Sequence, residues 1–354
     1  MRIPCLDVSR LRATVLATTL FVLVACRASA PAQAPVPTSG VEVPPAAPPD
    51  RWLGLIGEYG PDSDIRIVLE RGGRLFVHAR NSATELPLTE SGADTFGAQR
   101  DANDNVPVAF ARTATGRSLR VSIGGVVRAR RQIGPESGNQ LVIVPVRPLA
   151  DIRREALAES PPAERGPFRP SDLVELKPLD PSINLDIRYA TTNNLFGVPF
   201  YTQARAFLQR PAAQALVRVS GVLHTKGLGL LVHDGYRPWS VTKMFWDAAP
   251  EDKHIFVADP AQGSKHNRGA AVDLTLYDLA TGAPIEMVST YDETTDRAAA
   301  RYPGGSSRQR WYRDLLRHAM EAERFTVVAS EWWHFDYADW TRYGIGNVPF
   351  ETMR

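Results

Sequence analysis

Hydrophobic and polar positions change their spacing several times along the chain. Residues 13–25 are an uncharged, largely apolar run, and residues 26–50 are rich in Pro, Ala and Ser with few large side chains. Residues 51–133 carry short apolar alternations at 65–69, 75–79, 108–110 and 119–123. Gly72-Gly73, the polar stretch 101–105 and Gly124-Gly125 separate them. Period-two runs broken by turn residues predict strands, here a small antiparallel barrel or sandwich. Residues 134–170 contain seven prolines and read as a linker with one strand at 140–146. Residues 171–354 mix periods. Strands are expected at 183–189, 228–232, 272–277, 325–329 and 332–337, and helices at 211–224, 240–246 and 308–323. In the last helix Trp311, Leu315, Ala319 and Ala322 share one face. The expected class is α+β, with a small antiparallel β domain (51–133) preceding the domain at 171–354.

Charge and cysteine content narrow the possibilities. The 354 residues carry a formal charge of +2, and Arg2, Arg10, Arg12 and Asp7 account for it within the first 25. The remainder is near neutral, so no basic field is available to hold nucleic acid. Three arginines before an apolar run too short to span a bilayer read as an export signal over residues 1–25. The run ends Leu23-Val24-Ala25-Cys26, which resembles a bacterial lipobox. That resemblance implies cleavage before Cys26, lipidation of Cys26 and a membrane-anchored body standing off on the 26–50 tether. Arg27 after the cysteine points to the periplasmic face of the outer membrane in preference to the inner. Cys5 is the other cysteine, so the folded part has no thiol for catalysis or metal binding.

Six of the seven histidines lie in 171–354. His266 and Asp273 flank Gly269, and alternation over 271–276 turns Asp273 away from Val272, Leu274 and Leu276, onto a face expected to be polar. His334 lies among Trp332, Trp333, Phe335 and Tyr337, where a buried imidazole needs a hydrogen bond or a metal. Two imidazoles and a carboxylate suit a catalytic zinc site, and Glu331 is the natural general base. Residues three apart on a strand face opposite sides, so Glu331 and His334 converge only across a bend or bulge. Arg237 is suited to an oxyanion, and Asp234 to holding its fork. The bland alternatives are a solvated loop and a surface ion pair. His78, His233, His254 and His318 are read as structural or solvated.

Ser264-x-His266-x-x-Gly269-x-Ala271-x-Asp273, Glu331-x-Trp333-His334 and Tyr236-Arg237-Pro238 together resemble the zinc D-alanyl-D-alanine dipeptidases of peptidase family M15. So does Asp186-Ile187-Arg188-Tyr189-Ala190-Thr191 with Asn193, Asn194, Phe196 and Gly197. The likeness covers about residues 171–345. It implies one Zn²⁺ per chain on His266, Asp273 and His334, with Glu331 as general base and proton donor. It implies Arg237 as transition-state stabiliser, and Ser264, Asp292 and Asp234 in the substrate pocket, Asp292 meeting a free ammonium. The implied substrate is D-Ala-D-Ala or a related wall peptide. A D,D-carboxypeptidase on longer peptides is the nearest rival, and a non-catalytic wall-binding module is a third reading.

Overall fold

A computed structural model describes residues 43–101, 104–134 and 141–353. The export signal, Cys26 and the tether as far as residue 42 lie outside the described residues. A one-turn helix α1 (Asp50–Leu53) leads into eight strands, β1 (Gly57–Tyr59), β2 (Arg66–Arg71), β3 (Arg74–Ala79), β4 (Leu86–Gly92), β5 (Thr95–Gln99), β6 (Asn105–Arg112), β7 (Ser118–Ile123) and β8 (Val126–Ala129). They form one sheet in sequence order, each antiparallel to the next. The sheet's two edges meet. Tyr59 bridges Arg130, Gly60 N–H donates to Ala129 O (2.8 Å) and Arg131 N–H donates to Glu58 O (2.8 Å). Closure removes the exposed edge of the meander and makes a small barrel. Its interior holds Tyr59, Val68, Leu75, Val77, Phe96, Val108, Phe110 and Val121.

Strand β2 is apolar on both faces. Val68 points into the barrel, while Ile65, Ile67 and Leu69 join the large core of the C-terminal half. Thus the near-continuous run Ile65 to Leu69 docks the barrel as well as filling it. Buried carboxylates secure the junction. Glu58 accepts from Tyr302 Oη (3.0 Å) and Arg80 Nη2 (2.6 Å), and Arg80 also pairs with Asp296. Glu70 accepts from the backbone N–H of Ser307 (2.7 Å), an otherwise orphan donor at the first turn of a helix.

Residues 141–158 differ from expectation. No ladder forms over 141–146; Ile143 N–H and Val146 N–H donate singly to Leu195 O and Ala248 O. Helix α2 (Leu149–Ala158) occupies what reads as linker. Pro148 sits at its N-cap, where proline's missing N–H costs nothing, and Ile152 and Ala156 bury one face. The chain continues through β9 (Leu173–Glu175), α3 (Leu176–Leu179), β10 (Asn184–Leu185), β11 (Phe207–Gln209), α4 (Arg210–His224), β12 (Leu228–Asp234), α5 (Trp239–Ala248), β13 (Ala271–Asp278), α6 (Ser307–Ala322), β14 (Phe325–Val328) and β15 (Glu331–Tyr337). The expected strand at 183–189 shrinks to β10. Beyond it the Asn194 side chain donates to Arg188 O, Thr191 O and Val198 O and curls the chain.

The central sheet has the order β10-β12-β13-β15-β14, antiparallel except for β10 against β12. Val272, Leu274 and Leu276 enter the core, as the alternation predicts. The opposite face of β13 carries Asp273, Thr275 and Tyr277, polar as expected, but all three are buried and not solvated, because other segments lie over it: Tyr291 donates to Asp273, and Tyr277 donates to Ser182 O. Helix α6 is rotated from the expected face. Its buried stripe is Tyr312, Leu315, Leu316 and Met320, and Ala322 is exposed. Arg310 and Arg313 bury with it by donating to the carbonyls of Gly304, Glu70 and Tyr302.

Tyr302→Phe removes one hydrogen bond to the buried Glu58 carboxylate. It is expected to lower unfolding stability by about 2 kcal/mol in denaturant titration. A loss below about 0.5 kcal/mol would show that the junction does not depend on this bond.

Candidate metal centre and active site

The site is built where β12, β13 and β15 lie side by side. A 3-10 turn (His266–Arg268) precedes β13 and is closed by Gly269 at φ +65°, a left-handed conformation suited to glycine. A Cβ there would also lie 2.4 Å from Leu173. The turn throws His266 back over the start of β13. Asp273 and His334 are directly paired across β13 and β15. The β12–β13 register slips between Val232 and Asp234, so His233 is the extra residue and Asp234 falls opposite Asp273.

Three donor atoms meet there. His266 Nε2 is 3.4 Å from Asp273 Oδ1 and 3.2 Å from His334 Nδ1, and His334 Nδ1 is 3.0 Å from Asp273 Oδ1. Donors about 2.1 Å from a tetrahedral zinc ion lie ~3.4 Å from one another. Both tautomers are set from behind. His266 Nδ1–H donates to Gly235 O (2.7 Å), and His334 Nε2–H donates to Asp336 Oδ1 (3.0 Å), which turns the other nitrogen of each ring inward, where it can serve a metal. Two imidazole nitrogens and a carboxylate at this spacing need positive charge among them, from a proton or from a metal ion. Asp273 Oδ1 is buried and accepts no hydrogen bond, while Oδ2 accepts from Tyr291 Oη (3.1 Å). Burial alone would raise the Asp273 pKa, but the imidazoles of His266 and His334 hold it well below the ordinary range. Burial alone would lower the His334 pKa, but Asp273 and Asp336 push it up to about 10, so without an ion the ring holds a proton that a metal would displace. The residues therefore fit a divalent metal ion, and this His-Asp-His group is the one such cluster found among the described residues.

Glu331 reaches the same spot. The β14–β15 register breaks between Val327 and Val328, placing an irregularity between Glu331 and Phe335. This is the bulge that the three-residue spacing demands, and it brings Glu331 Oε2 to 3.7 Å from His334 Nδ1. Partial burial raises the Glu331 pKa although 44% of its side chain is exposed, with Asp273 adding to the shift and the imidazoles and Arg237 opposing it.

Arg237 is buried, so its pairing with Asp234 is no surface ion pair. Its Nε and Nη2 donate to Asp234 Oδ2 (3.0 and 2.7 Å), and the guanidinium lies over Phe245 and Tyr189. Asp234 is fully engaged, accepting also from Tyr201 Oη (2.8 Å) and Gly235 N–H (2.9 Å). Asp292 sits at φ +60°, uncommon for a non-glycine residue, with Oδ2 buried and free of hydrogen bonds. Burial first, then the charge of Asp273, raises its pKa to about 8, against a Tyr189 hydrogen bond. Ser264 is engaged locally: its Oγ accepts from His266 N–H (3.2 Å). The sequence reading missed Asp336 and Tyr291. Asp336 stands two residues beyond His334 on the same strand, which was a readable signal. Tyr291 meets Asp273 only through the tertiary fold.

A model of the family described as D-ala-D-ala dipeptidase matches residues 169–345. The D-alanyl-D-alanine dipeptidase of Escherichia coli is 35% identical over 166 residues, 47% of this chain and 84% of that protein. The chain belongs to the D-Ala-D-Ala dipeptidase family. The D-alanyl-D-alanine dipeptidase of Enterococcus faecium is 33% identical over 175 residues, 44% of this chain and 87% of that protein. The family match thus includes every candidate site residue from Asp234 to His334, and the barrel lies outside it.

In this family member Asp336→Ala frees the His334 ring. Zinc affinity, measured by competition with a chromophoric chelator, is expected to fall about 10–100-fold. Unchanged affinity would exclude Asp336 from orienting the ligand.

Proposed function

We propose that this protein is a zinc-dependent dipeptidase that hydrolyses D-Ala-D-Ala. The observation that carries the reading is the convergence of His266 Nε2, Asp273 Oδ1 and His334 Nδ1 beside Glu331, inside the span matched by the dipeptidase family. His266, Asp273 and His334 hold the ion. Bound there, zinc supplies Lewis acidity, polarising the peptide carbonyl and easing deprotonation of water.

The chain's own groups do the rest. Glu331 takes the proton from the attacking water and returns it to the leaving amine; its raised pKa suits both directions of transfer. Arg237, held by Asp234 and backed by Tyr189 and Phe245, donates to the oxyanion as charge develops. Such a donor needs no reorganisation during reaction, because its partners already fix the fork. Asp292 pairs with the substrate's free ammonium. An orphan carboxylate oxygen close to two other carboxylates calls for a cation, and the ammonium of a dipeptide is one. Ser264, at the start of the His266 turn, borders the substrate.

Alanine release from D-Ala-D-Ala by zinc-loaded protein tests this directly. Glu331→Ala is expected to lower kcat by about 10²–10⁴-fold with zinc retained. Asp292→Asn should act mainly on KM, and N-acetyl-D-Ala-D-Ala should be a poor substrate. Equal cleavage of the N-acetylated or a longer peptide would replace the dipeptidase reading with a D,D-carboxypeptidase.

A further inference from the structure

A cavity of about 480 Å³ lies between the barrel and the α+β half, apart from the metal ligands. Ile56 and Arg130 line it from the barrel side, and Thr275, Ile285, Met287 and Trp332 from the other. Tyr291 also lines it, while its hydroxyl donates to Asp273. Three features point to a ligand. The Oγ1 of Thr275, a residue only 6% exposed, has no hydrogen-bond partner. Buried hydroxyls are rarely left so without a role or a bound group. Arg130 lies over the Tyr59 ring and donates to neutral oxygens, Gly54 O (3.1 Å), Tyr59 Oη (2.9 Å) and Ile56 O (2.7 Å), and no carboxylate pairs with it among the described residues. Glu58 also lines the space, but Tyr302, Arg80 and Arg131 already engage it. Finally, the volume falls in the range of about 300–1,000 Å³ typical of organic-ligand pockets. A lone inorganic anion would leave most of the apolar wall uncovered.

We propose that this cavity is a second binding site, for a short peptide carrying a carboxylate. The carboxylate meets Arg130, a backbone or side-chain polar group meets Thr275 Oγ1, and aliphatic groups cover Ile285, Met287 and Trp332. Only the choice of a peptide rests on the function proposed above; the cavity and its chemistry do not.

The probe is N-acetyl-Ala-Glu-Ala, whose blocked amine denies it the ammonium contact at Asp292. Binding to the zinc-loaded full chain is read by isothermal titration, so it stands or falls separately from hydrolysis. One peptide per chain is expected, with the Gln-containing C-terminal amide bound at least tenfold more weakly. Thr275→Val, nearly isosteric, and Ile285→Glu, which sets a like charge at a half-buried wall position, should each weaken binding at least fivefold. No binding at millimolar peptide would overturn the proposal. So would binding indifferent to both substitutions, or inorganic phosphate competing as strongly as the peptide.

Discussion

Everything chemical in this protein depends on one crowded point, where Asp273 Oδ1 meets two imidazole nitrogens at 3.0 and 3.4 Å. A carboxylate so deeply buried costs several kcal/mol of lost hydration unless positive charge returns it. The fold brings the groups that would hold that charge from two directions: along the chain, by the turn that brings back His266, and across the sheet, by the pairing of Asp273 with His334. The pairing sits in the middle of the five-stranded sheet, its most enclosed position. Both imidazoles are then locked by hydrogen bonds on their far sides, so the donor set is preorganised.

Irregularities in regular structure make the site. β12 slips at His233, which sets Asp234 opposite Asp273 and leads into the turn carrying Arg237. β15 breaks register before Phe335, which lets Glu331 and His334 face one point. Bulges of this kind commonly re-aim side chains beside active sites. The barrel enters differently. Glu58 on β1, Glu70 on β2 and Arg80 after β3 are tied to the chain between Asp296 and Arg310, which follows closely on Tyr291 and Asp292. A module outside the family match is thereby fastened to the segment that follows the site.

Much of the site was legible because its signals are local. His266, Gly269 and Asp273 form one turn and strand, and the Glu331–His334 spacing itself demanded the bulge. Asp234 and Arg237 were readable as a pair, though nothing local says the pair is buried. What escaped the sequence was tertiary. The Asp273 face is polar as alternation says, but alternation cannot say that other segments cover it. Prolines around 145–162 read as breakers, yet Pro148 starts α2. β4 and β5, with Gly, Thr and Glu among few apolar residues, carry too little pattern to stand out. The face of α6 was misplaced because two buried arginines find carbonyl partners in other segments.

The central claim is that His266, Asp273 and His334 together hold the catalytic ion. X-ray absorption at the zinc edge of the loaded protein tests it most directly. The account predicts one zinc ion per chain, with two imidazoles and the rest oxygen donors in its shell, and loss of that shell in Asp273→Ala. A shell without imidazole scattering, or an unchanged shell in Asp273→Ala, would contradict it.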